Sequence, residues 1–168
     1  ATGRPYDTLE EVIGIRGERG NGSLADLGVS YKQVDLKDNK VDYDALRAAI
    51  DPRVKAVEIQ RSKGYAWRDS FSVDEIGEII SFVKSINKDI ICIVDNCYGE
   101  FVDTKEPTEV GADLMVGSLI KNPGGGLARS GGYIAGSARC VELVSYRLTC
   151  PGIGRECGAT LGNNRSMY

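Results

Sequence analysis

The chain has 168 residues, of which 42% are hydrophobic and 27% are charged, and its formal net charge is −3. This composition is close to the average for globular domains, so it excludes collagen and intrinsic disorder. The negative balance argues against a general nucleic-acid binder, and no apolar run of about 18 residues predicts a transmembrane helix. We therefore expect one domain over residues 1–168, with neither a nucleic-acid nor a membrane partner.

The histidine and cysteine content excludes several kinds of site. Histidine is absent, which rules out Ser-His-Asp and Cys-His catalysis and every histidine-containing zinc site. The cysteines are Cys92, Cys97, Cys140, Cys150 and Cys157, an odd number without a Cys-x-x-Cys motif. The pattern predicts reduced thiols rather than a disulfide framework or a four-thiolate zinc site. The same residue content predicts that no metal is bound. No signal-peptide pattern opens the chain, so we expect a cytoplasmic protein.

Predicted helices and strands alternate along the first part of the chain. Helical spacing begins at Asp7, where Asp7 or Thr8 can cap, and the glycine-rich loop over residues 17–22 is expected to end that helix. Alternation of apolar and polar residues predicts a half-buried strand next. The elements expected from there are a strand over 31–36, a helix over 43–50 that ends before Pro52, and a strand over 54–60.

The second part of the chain continues the alternation. Ser72 and Glu75 have the spacing of a capping box, and the helix that they open carries one apolar face and is expected to end at residues 87–89. The uninterrupted apolar run over 90–94 predicts a parallel strand that is covered on both faces. The remaining expected elements are strands over 114–118 and 132–135 and a helix over 138–148.

Alternating strands and helices predict an α/β fold with a mostly parallel sheet. Ligands of such sheets bind beyond the carboxyl ends of the strands. The residues at those positions are Gln60-Arg61, Asp95-Asn96 and the segment from Ser118 to Lys121.

Two strand-end residues have both an ordinary interpretation and a chemical one. Asp95 either caps the segment that follows it or holds a protonated ring nitrogen, with the phenol of Tyr98 nearby. Lys121 is either an exposed lysine or a nucleophile with a lowered pKa that forms a Schiff base. The glycines at 124–126 permit a close approach to a ligand, and the Ser118 hydroxyl can donate to a phosphate.

Two other motifs are weaker. Ser118 and Lys121 match the Ser-x-x-Lys of penicillin-binding acyl-transferases, but the companion Ser-Asp-Asn and Lys-Thr-Gly motifs are missing. Gly17, Gly20 and Gly22 do not have the spacing of the dinucleotide-binding fingerprint, and no Walker lysine motif occurs.

Taken together, the segments Val94–Asn96, 111–114 and Gly117–Lys121 resemble fold-type I pyridoxal-phosphate enzymes of the cystathionine and methionine gamma-lyase group. The stretches VDNCYGEFVDTKEPTEVGADLMVGSLIKNPGGGLA and RLTCPGIGRECGA are similar to the methionine gamma-lyase-like proteins known as aluminium-resistance proteins. PYDTLEEVIG and EIQRSKGYAWR fit the same family. The resemblance implies a three-layer α/β sandwich, the large domain of a pyridoxal-phosphate-dependent transferase.

The resemblance also implies roles for individual residues toward pyridoxal 5′-phosphate. Lys121 would form the Schiff base, Asp95 would pair with the pyridinium nitrogen, and Tyr98 would donate to the phenolic oxygen of the ring. Ser118 would bind the phosphate and Tyr6 would stack on the ring. Gln60 stands where an amide near the phenolic oxygen is common, although Gln-Arg-Ser replaces the usual Asn-Pro.

The implied activity is carbon–sulfur lyase chemistry on a sulfur-containing amino acid, by aldimine formation, α-proton removal and β- or γ-elimination. Alternatives are an aminotransferase, another eliminase, or a non-catalytic binding protein on a degenerate type I fold. The family's phosphate loop and its C-terminal small domain have no counterpart in residues 1–168, so we expect the central segment of a large domain. A homodimer or homotetramer is expected from the resemblance alone.

Overall fold

The computed structural model describes residues 2–148 and 150–156, and a four-stranded sheet forms its centre. Strands β3, β4 and β5 are parallel, and β6 runs antiparallel to β5 at the edge. The order of the strands in this sheet follows their order in the chain. The elements are α1 (Asp7–Ile13), β1 (Leu36–Lys37), β2 (Lys40–Val41), α2 (Tyr43–Ala49), β3 (Ala56–Gln60), α3 (Val73–Ile86), β4 (Ile91–Asp95), β5 (Leu114–Ser118), β6 (Gly132–Gly136) and α4 (Ala138–Leu148).

The hydrophobic core lies between this sheet and helix α3. One face of β3 and β4 contributes buried Val57, Ile59, Cys92 and Val94. Helix α3 contributes a stripe of buried residues at helical spacing: Val73, Ile76, Ile79, Ile80 and Val83. Burial of apolar side chains is worth about 1.5–3 kcal/mol each, so this layer supplies most of the energy that holds α3 on the sheet.

The capping box at the start of α3 is confirmed. The Ser72 hydroxyl accepts from the Glu75 amide at 3.2 Å, and a Glu75 carboxylate oxygen accepts from the Ser72 amide at 2.8 Å. These two bonds satisfy amides at the helix start that have no partner within the helix. Helix α3 therefore begins and ends where the sequence pattern predicts, with Asn87 as the last cap.

The α/β fold with a mostly parallel sheet is confirmed. Helices α2 and α3 contact each other over the core face, and α4 contacts β6. A complete second layer of helices, which a three-layer sandwich requires, stays a prediction. None of the described helices is both long and apolar enough to cross a membrane.

Two predicted features near the start of the chain are wrong. Of the strand expected over 31–36, only a single bridge between Thr2 and Val34 and the short strand β1 are present. The strand is short because a tight hairpin pairs Leu36 with Val41. That hairpin turns at Asp38 and Asn39, which both have positive φ. Neither Asp7 nor Thr8 caps α1: Tyr6 stands at its start without a side-chain cap, and Gly14 ends it in the left-handed conformation, before the 17–22 loop.

Candidate functional site

The carboxyl ends of three parallel strands meet at one edge of the sheet. The strand register places Gln60 beside Asp95 and Asp95 beside Val116. The Arg61 amide then donates to the Asp95 carbonyl at 3.0 Å, and the Asn96 amide donates to the Val116 carbonyl at 2.8 Å. All the strand-end residues that the sequence singles out are thus neighbours, and we call this cluster the strand-end site.

Lys121 lies at the centre of the site, over the ring of Tyr98. Its ammonium nitrogen is 4.6 Å from the ring centroid, which is within the range of a cation–π contact. It also hydrogen-bonds to the thiol of Cys97. Lys121 makes no ion pair with any other residue that the structure describes. The ring of Tyr98 and the thiol of Cys97 therefore hold the amine, and no described carboxylate forms an ion pair with it.

The expectation of a lowered lysine pKa is wrong. Burial lowers the pKa of Lys121, but the hydrogen bond to Cys97 and the charges of Cys97, Tyr98 and Asp95 together raise it above its ordinary value. The side chain is only half-buried, so the loss of hydration is smaller than the attraction of its neighbours. Without a ligand, Lys121 therefore carries its proton at neutral pH.

Asp95 organises the turn that follows β4. One of its carboxylate oxygens accepts from the Cys97 amide at 3.0 Å, so the capping interpretation describes part of what it does. Cys97 and Tyr98 lie in this turn, and both face Lys121. Tyr98 is half exposed and has a φ of 70°, a left-handed conformation that costs a non-glycine residue of order 1 kcal/mol. The surrounding contacts must hold this turn in place.

Gln60 and Tyr6 lie on the β3 side of the site. Gln60 is 5% exposed, its amide nitrogen donates to the Ser62 carbonyl at 3.0 Å, and its amide oxygen is buried without a partner among the described residues. Tyr6 stacks on Tyr65 with ring centroids 5.7 Å apart, and the hydrogen bond between their hydroxyls raises the pKa of Tyr6 to about 12. A Cβ atom at Gly64 would lie 3.2 Å from the Gln60 amide nitrogen and 3.6 Å from the Tyr6 ring.

Ser118 ends β5 on the opposite side of Asp95. Its amide donates to a Glu100 carboxylate oxygen at 3.0 Å. Its hydroxyl has no hydrogen-bond partner within the part of the chain that the structure describes, so it can donate to a ligand. The site thus contains all six predicted residues, while their roles toward a cofactor stay predictions.

Beneath these residues lies a network of buried and half-buried polar side chains. Its members are Arg61, Asn96, Glu100, Glu106 and Tyr133, joined by hydrogen bonds of 2.8 to 3.3 Å. Sequence reasoning marks Arg61 and Asn96 only as strand-end positions and misses the other three. Glu100 and Glu106 are loop residues and Tyr133 is on β6, so no local pattern connects them.

Two cavities adjoin the described surface. One, of about 290 Å³, is lined by Cys97 and Tyr98 of the site together with Arg61, Ser62 and Ser70, and opens beside the start of α3. The other, of about 800 Å³, lies between the β1–β2 hairpin and α3, and none of the six predicted site residues lines it. The smaller cavity is therefore the one that belongs to the strand-end site.

Comparison with known proteins identifies the family. The family model described as methionine gamma-lyase matches residues 1–168. The chain belongs to the methionine gamma-lyase family. A curated relative, the uncharacterized protein YnbB of Bacillus subtilis, is 61% identical over 99% of the chain. The suspected family is therefore confirmed.

Solved structures of similar proteins agree with this assignment. A carbon-sulfur lyase involved in aluminum resistance from Clostridium novyi is 55% identical over 99% of the chain, with a TM-score of 0.90. A Listeria monocytogenes protein described as a candidate cystathionine beta-lyase involved in aluminum resistance is 57% identical over 92% of the chain, with a TM-score of 0.87.

The chain is similar to only part of each of these longer proteins. The chain spans 40% of the Bacillus protein, 40% of the Clostridium chain and 38% of the Listeria chain. Activity, substrate and assembly of the whole protein are therefore matters for proposal.

Proposed function

We propose that this protein is a pyridoxal-phosphate-dependent carbon–sulfur lyase that acts on a sulfur-containing amino acid. The observation that carries the proposal is the meeting of Lys121, Asp95 and Tyr98 at the carboxyl edge of a parallel sheet. Membership in the methionine gamma-lyase family and the names of the similar solved lyases support it. A homo-oligomer and a cytoplasmic location belong to the same proposal.

The residues present fit pyridoxal phosphate. The Gln60 amide oxygen is buried without a partner among the described residues, and the Ser118 hydroxyl has none in the same part of the chain, so both are polar groups that a ligand can satisfy. The Lys121 amine makes no ion pair with another described residue, and once it is deprotonated it is available for a carbonyl carbon. Lys121, Asp95, Tyr98, Ser118, Gln60 and Tyr6 would hold the group. When bound, pyridoxal phosphate supplies an electron sink for charge that develops at the α-carbon of the substrate.

The side chains of the site would divide the remaining work. The Asp95 carboxylate would hold a positive charge at the end of β4, and the Ser118 hydroxyl would donate to phosphate oxygens. The Lys121 nitrogen would carry the proton taken from the α-carbon and return it to the departing group. Because a lysine attacks an aldehyde carbon only in its neutral form, the raised pKa of unliganded Lys121 predicts that capture of an aldehyde accelerates as pH rises.

A substitution at Lys121 tests the proposal in the full-length protein. Lys121→Ala is expected to abolish both the visible absorbance band of bound pyridoxal phosphate and the covalent adduct formed on borohydride reduction. Lys121→Arg should fail equally, since a guanidinium keeps its proton. The exposed Lys88→Ala is the matched control and should retain both signals. Peptide mapping that finds the adduct on another lysine, or no adduct in the wild type, contradicts the assignment.

The reaction is measured separately, with a panel of sulfur-containing amino acids. Elimination releases a thiol and a 2-oxo acid, and both products are expected to depend on Lys121. Transfer of the amino group to an added 2-oxo acid without release of a thiol would identify an aminotransferase instead. A stoichiometric adduct without turnover of any amino acid would indicate a binding protein.

A further inference from the structure

Arg61 is the buried cation of the strand-end site. It directly follows Gln60 of β3 and is 5% exposed. One of its guanidinium nitrogens donates to the Asn96 side-chain oxygen at 2.8 Å and to the Gly99 carbonyl at 2.9 Å, and its Nε donates to the Phe71 carbonyl at 3.3 Å. Arg61 thus binds both ends of the Asn96–Gly99 turn.

The contacts of Arg61 continue into the rest of the polar network. The Asn96 amide nitrogen donates to Glu106 and to the Tyr133 hydroxyl, each at 3.1 Å. Tyr133 donates to Glu100 at 3.3 Å, and the same Glu100 oxygen accepts from the Ser118 amide. The turn between Asn96 and Gly99 is therefore tied to β3 through Arg61 and to β5 and β6 through Glu100 and Tyr133.

The positive charge of Arg61 is balanced by carboxylates of the protein itself. Its guanidinium lies 3.7 Å from Asp103 and 4.0 Å from Glu106. Although Arg61 lines the cavity of about 290 Å³, two nearby carboxylates make a subsite for an anionic ligand unfavourable there. A buried, neutralised arginine with three directed hydrogen bonds is suited to holding a backbone segment in one conformation.

The packing around Gly99 shows how closely Arg61 fits the turn. A Cβ atom at this position would lie 2.5 Å from an Arg61 guanidinium nitrogen and 2.7 Å from the Asn96 side-chain oxygen. Any side chain at 99 would therefore push the guanidinium away from the Gly99 carbonyl. The turn that Arg61 holds contains Cys97 and Tyr98, the two residues in contact with Lys121.

We propose that Arg61 is a positioning residue: it holds the Asn96–Gly99 turn, in which Tyr98 is strained, so that Cys97 and Tyr98 stay against Lys121. The consequence for catalysis rests on the proposed function, while the effect on the turn does not. Loss of Arg61 releases the turn toward solvent, exposes Cys97 and frees Lys121 from its neighbours.

The test measures the alkylation rate of Cys97 in the full-length protein by peptide mass spectrometry, without added cofactor. Cys92 shares a tryptic peptide with Cys97 but is fully buried and distinguished by its fragment ions. Arg61→Met is expected to raise the rate at least about tenfold, because local opening exposes the thiol. Arg61→Lys, which keeps the charge but fewer bonds, should give an intermediate rate.

Lys84→Met is the matched control. Lys84 is a partly buried cation that binds Asp113 at 2.7 Å, away from the turn, so its loss should lower the melting temperature and leave the Cys97 rate unchanged. If Arg61→Met does not fold, Gly99→Ala disturbs the same contact from the other side and is expected to accelerate alkylation. Equal rates in the Arg61, Gly99 and Lys84 variants, compared at the same interval below their melting temperatures, would overturn the proposal.

A second measurement addresses catalysis. Where the wild type eliminates a thiol, Arg61→Met should keep its cofactor and lose at least about tenfold in kcat, an effect that Lys84→Met should not show. An unchanged kcat in Arg61→Met overturns the positioning role. A wild type that binds no cofactor overturns the proposed function instead, and the alkylation result remains decisive for Arg61.

Discussion

The body of strand β4 and the turn beyond its carboxyl end are stabilised in different ways. Along its length, Cys92 and Val94 pack against α3 in a layer of apolar side chains. Beyond its carboxyl end, Asp95 and Asn96 enter a network of charged and amide groups. Apolar contacts are non-directional and tolerate exchange, whereas each polar contact depends on one particular partner.

This difference has a consequence for function. The apolar layer needs only side chains of suitable size at suitable spacing, and it provides a rigid platform. The strand-end site needs the partners themselves, and the strained φ of Tyr98 and the buried oxygen of Gln60 show that it does not minimise its own energy. The stabilising apolar contacts lie along the strand and the proposed chemistry lies beyond its carboxyl end, as expected of a site carried by a scaffold.

The largest effect on stability is expected within the apolar layer. Ile76 is fully buried, so Ile76→Ala removes contacts and leaves a cavity, and it should lower the free energy of unfolding by about 2–5 kcal/mol. Ser81→Ala on the exposed face of the same helix should change it by less than about 0.5 kcal/mol. Urea unfolding of the full-length protein measures both. A similar cost for the two variants would contradict the division described above.

At the strand end, Asp95→Asn is expected to act on turnover instead. The substitution keeps the size of the side chain and removes its charge, so thiol release should fall at least about a hundredfold, equivalent to about 2.7 kcal/mol, with the cofactor retained. The exposed Asp89→Asn is the control and should be neutral. Near-normal turnover in Asp95→Asn would show that another carboxylate holds the positive charge.

Glu58 lies at the boundary between the two regions, and its effect depends on pH. Burial raises the pKa of Glu58 to about 7, and the negative charge of Asp95 adds to the rise. Between about pH 4.5 and 7 the folded state therefore binds a proton that the unfolded state has released, so stability falls as pH rises.

Glu58→Gln should remove that pH dependence. Relative to the wild type, the variant is expected to gain about 3 kcal/mol in the free energy of unfolding on going from pH 4.5 to pH 8. Urea unfolding at the two pH values measures the gain, and the exposed Glu78→Gln should leave the wild-type slope in place. The same change of stability with pH in Glu58→Gln and in the wild type would show that Glu58 ionises freely.

The smallest effect is expected at the start of α3, where a polar cap supports the apolar layer. Ser72→Ala removes the hydroxyl that accepts from the Glu75 amide and should cost about 1 kcal/mol. Ser81→Ala serves again as the control. Equal melting temperatures for the two serine variants would mean that the cap is not needed once α3 is packed on the sheet.

Much of the fold follows from local patterns. The boundaries of α3, β5 and α4 agree with the predicted ones to within a residue, because apolar periodicity and the capping box are properties of short segments. The strand expected over 31–36 was wrong because an alternating pattern does not show whether a neighbouring strand is present to pair with it. Only Val34, which pairs with Thr2, and Leu36, which pairs with Val41 in the hairpin, have such a neighbour. The predicted cap of α1 was wrong because Tyr6, and neither Asp7 nor Thr8, occupies the capping position. The predicted end was wrong because Gly14 ends the helix before the glycine-rich loop.

The site divides in the same way. Strand ends are visible in a sequence, so Asp95, Ser118 and Lys121 could be selected before any contact was known. The raised pKa of Lys121 could not, because it depends on how near Cys97 and Tyr98 come and on how little of the lysine is buried. The same holds for Glu100, Glu106 and Tyr133, whose partners lie up to 37 residues away along the chain.

By itself, therefore, the sequence determined the α/β class, the family and which residues stand at the carboxyl ends of the strands. The fold class and the strand ends depend on the spacing of residue types along the chain, which local sterics and burial translate into helices and strands. The family follows instead from the resemblance of long stretches of the chain, and the family model that matches residues 1–168 confirms it. Only the tertiary structure decided that Arg61 hydrogen-bonds to the turn beside Lys121 and that the buried Gln60 oxygen has no partner in the described part of the chain. Hydrogen bonds act over about 3 Å, and only packing brings residues distant in the chain that close.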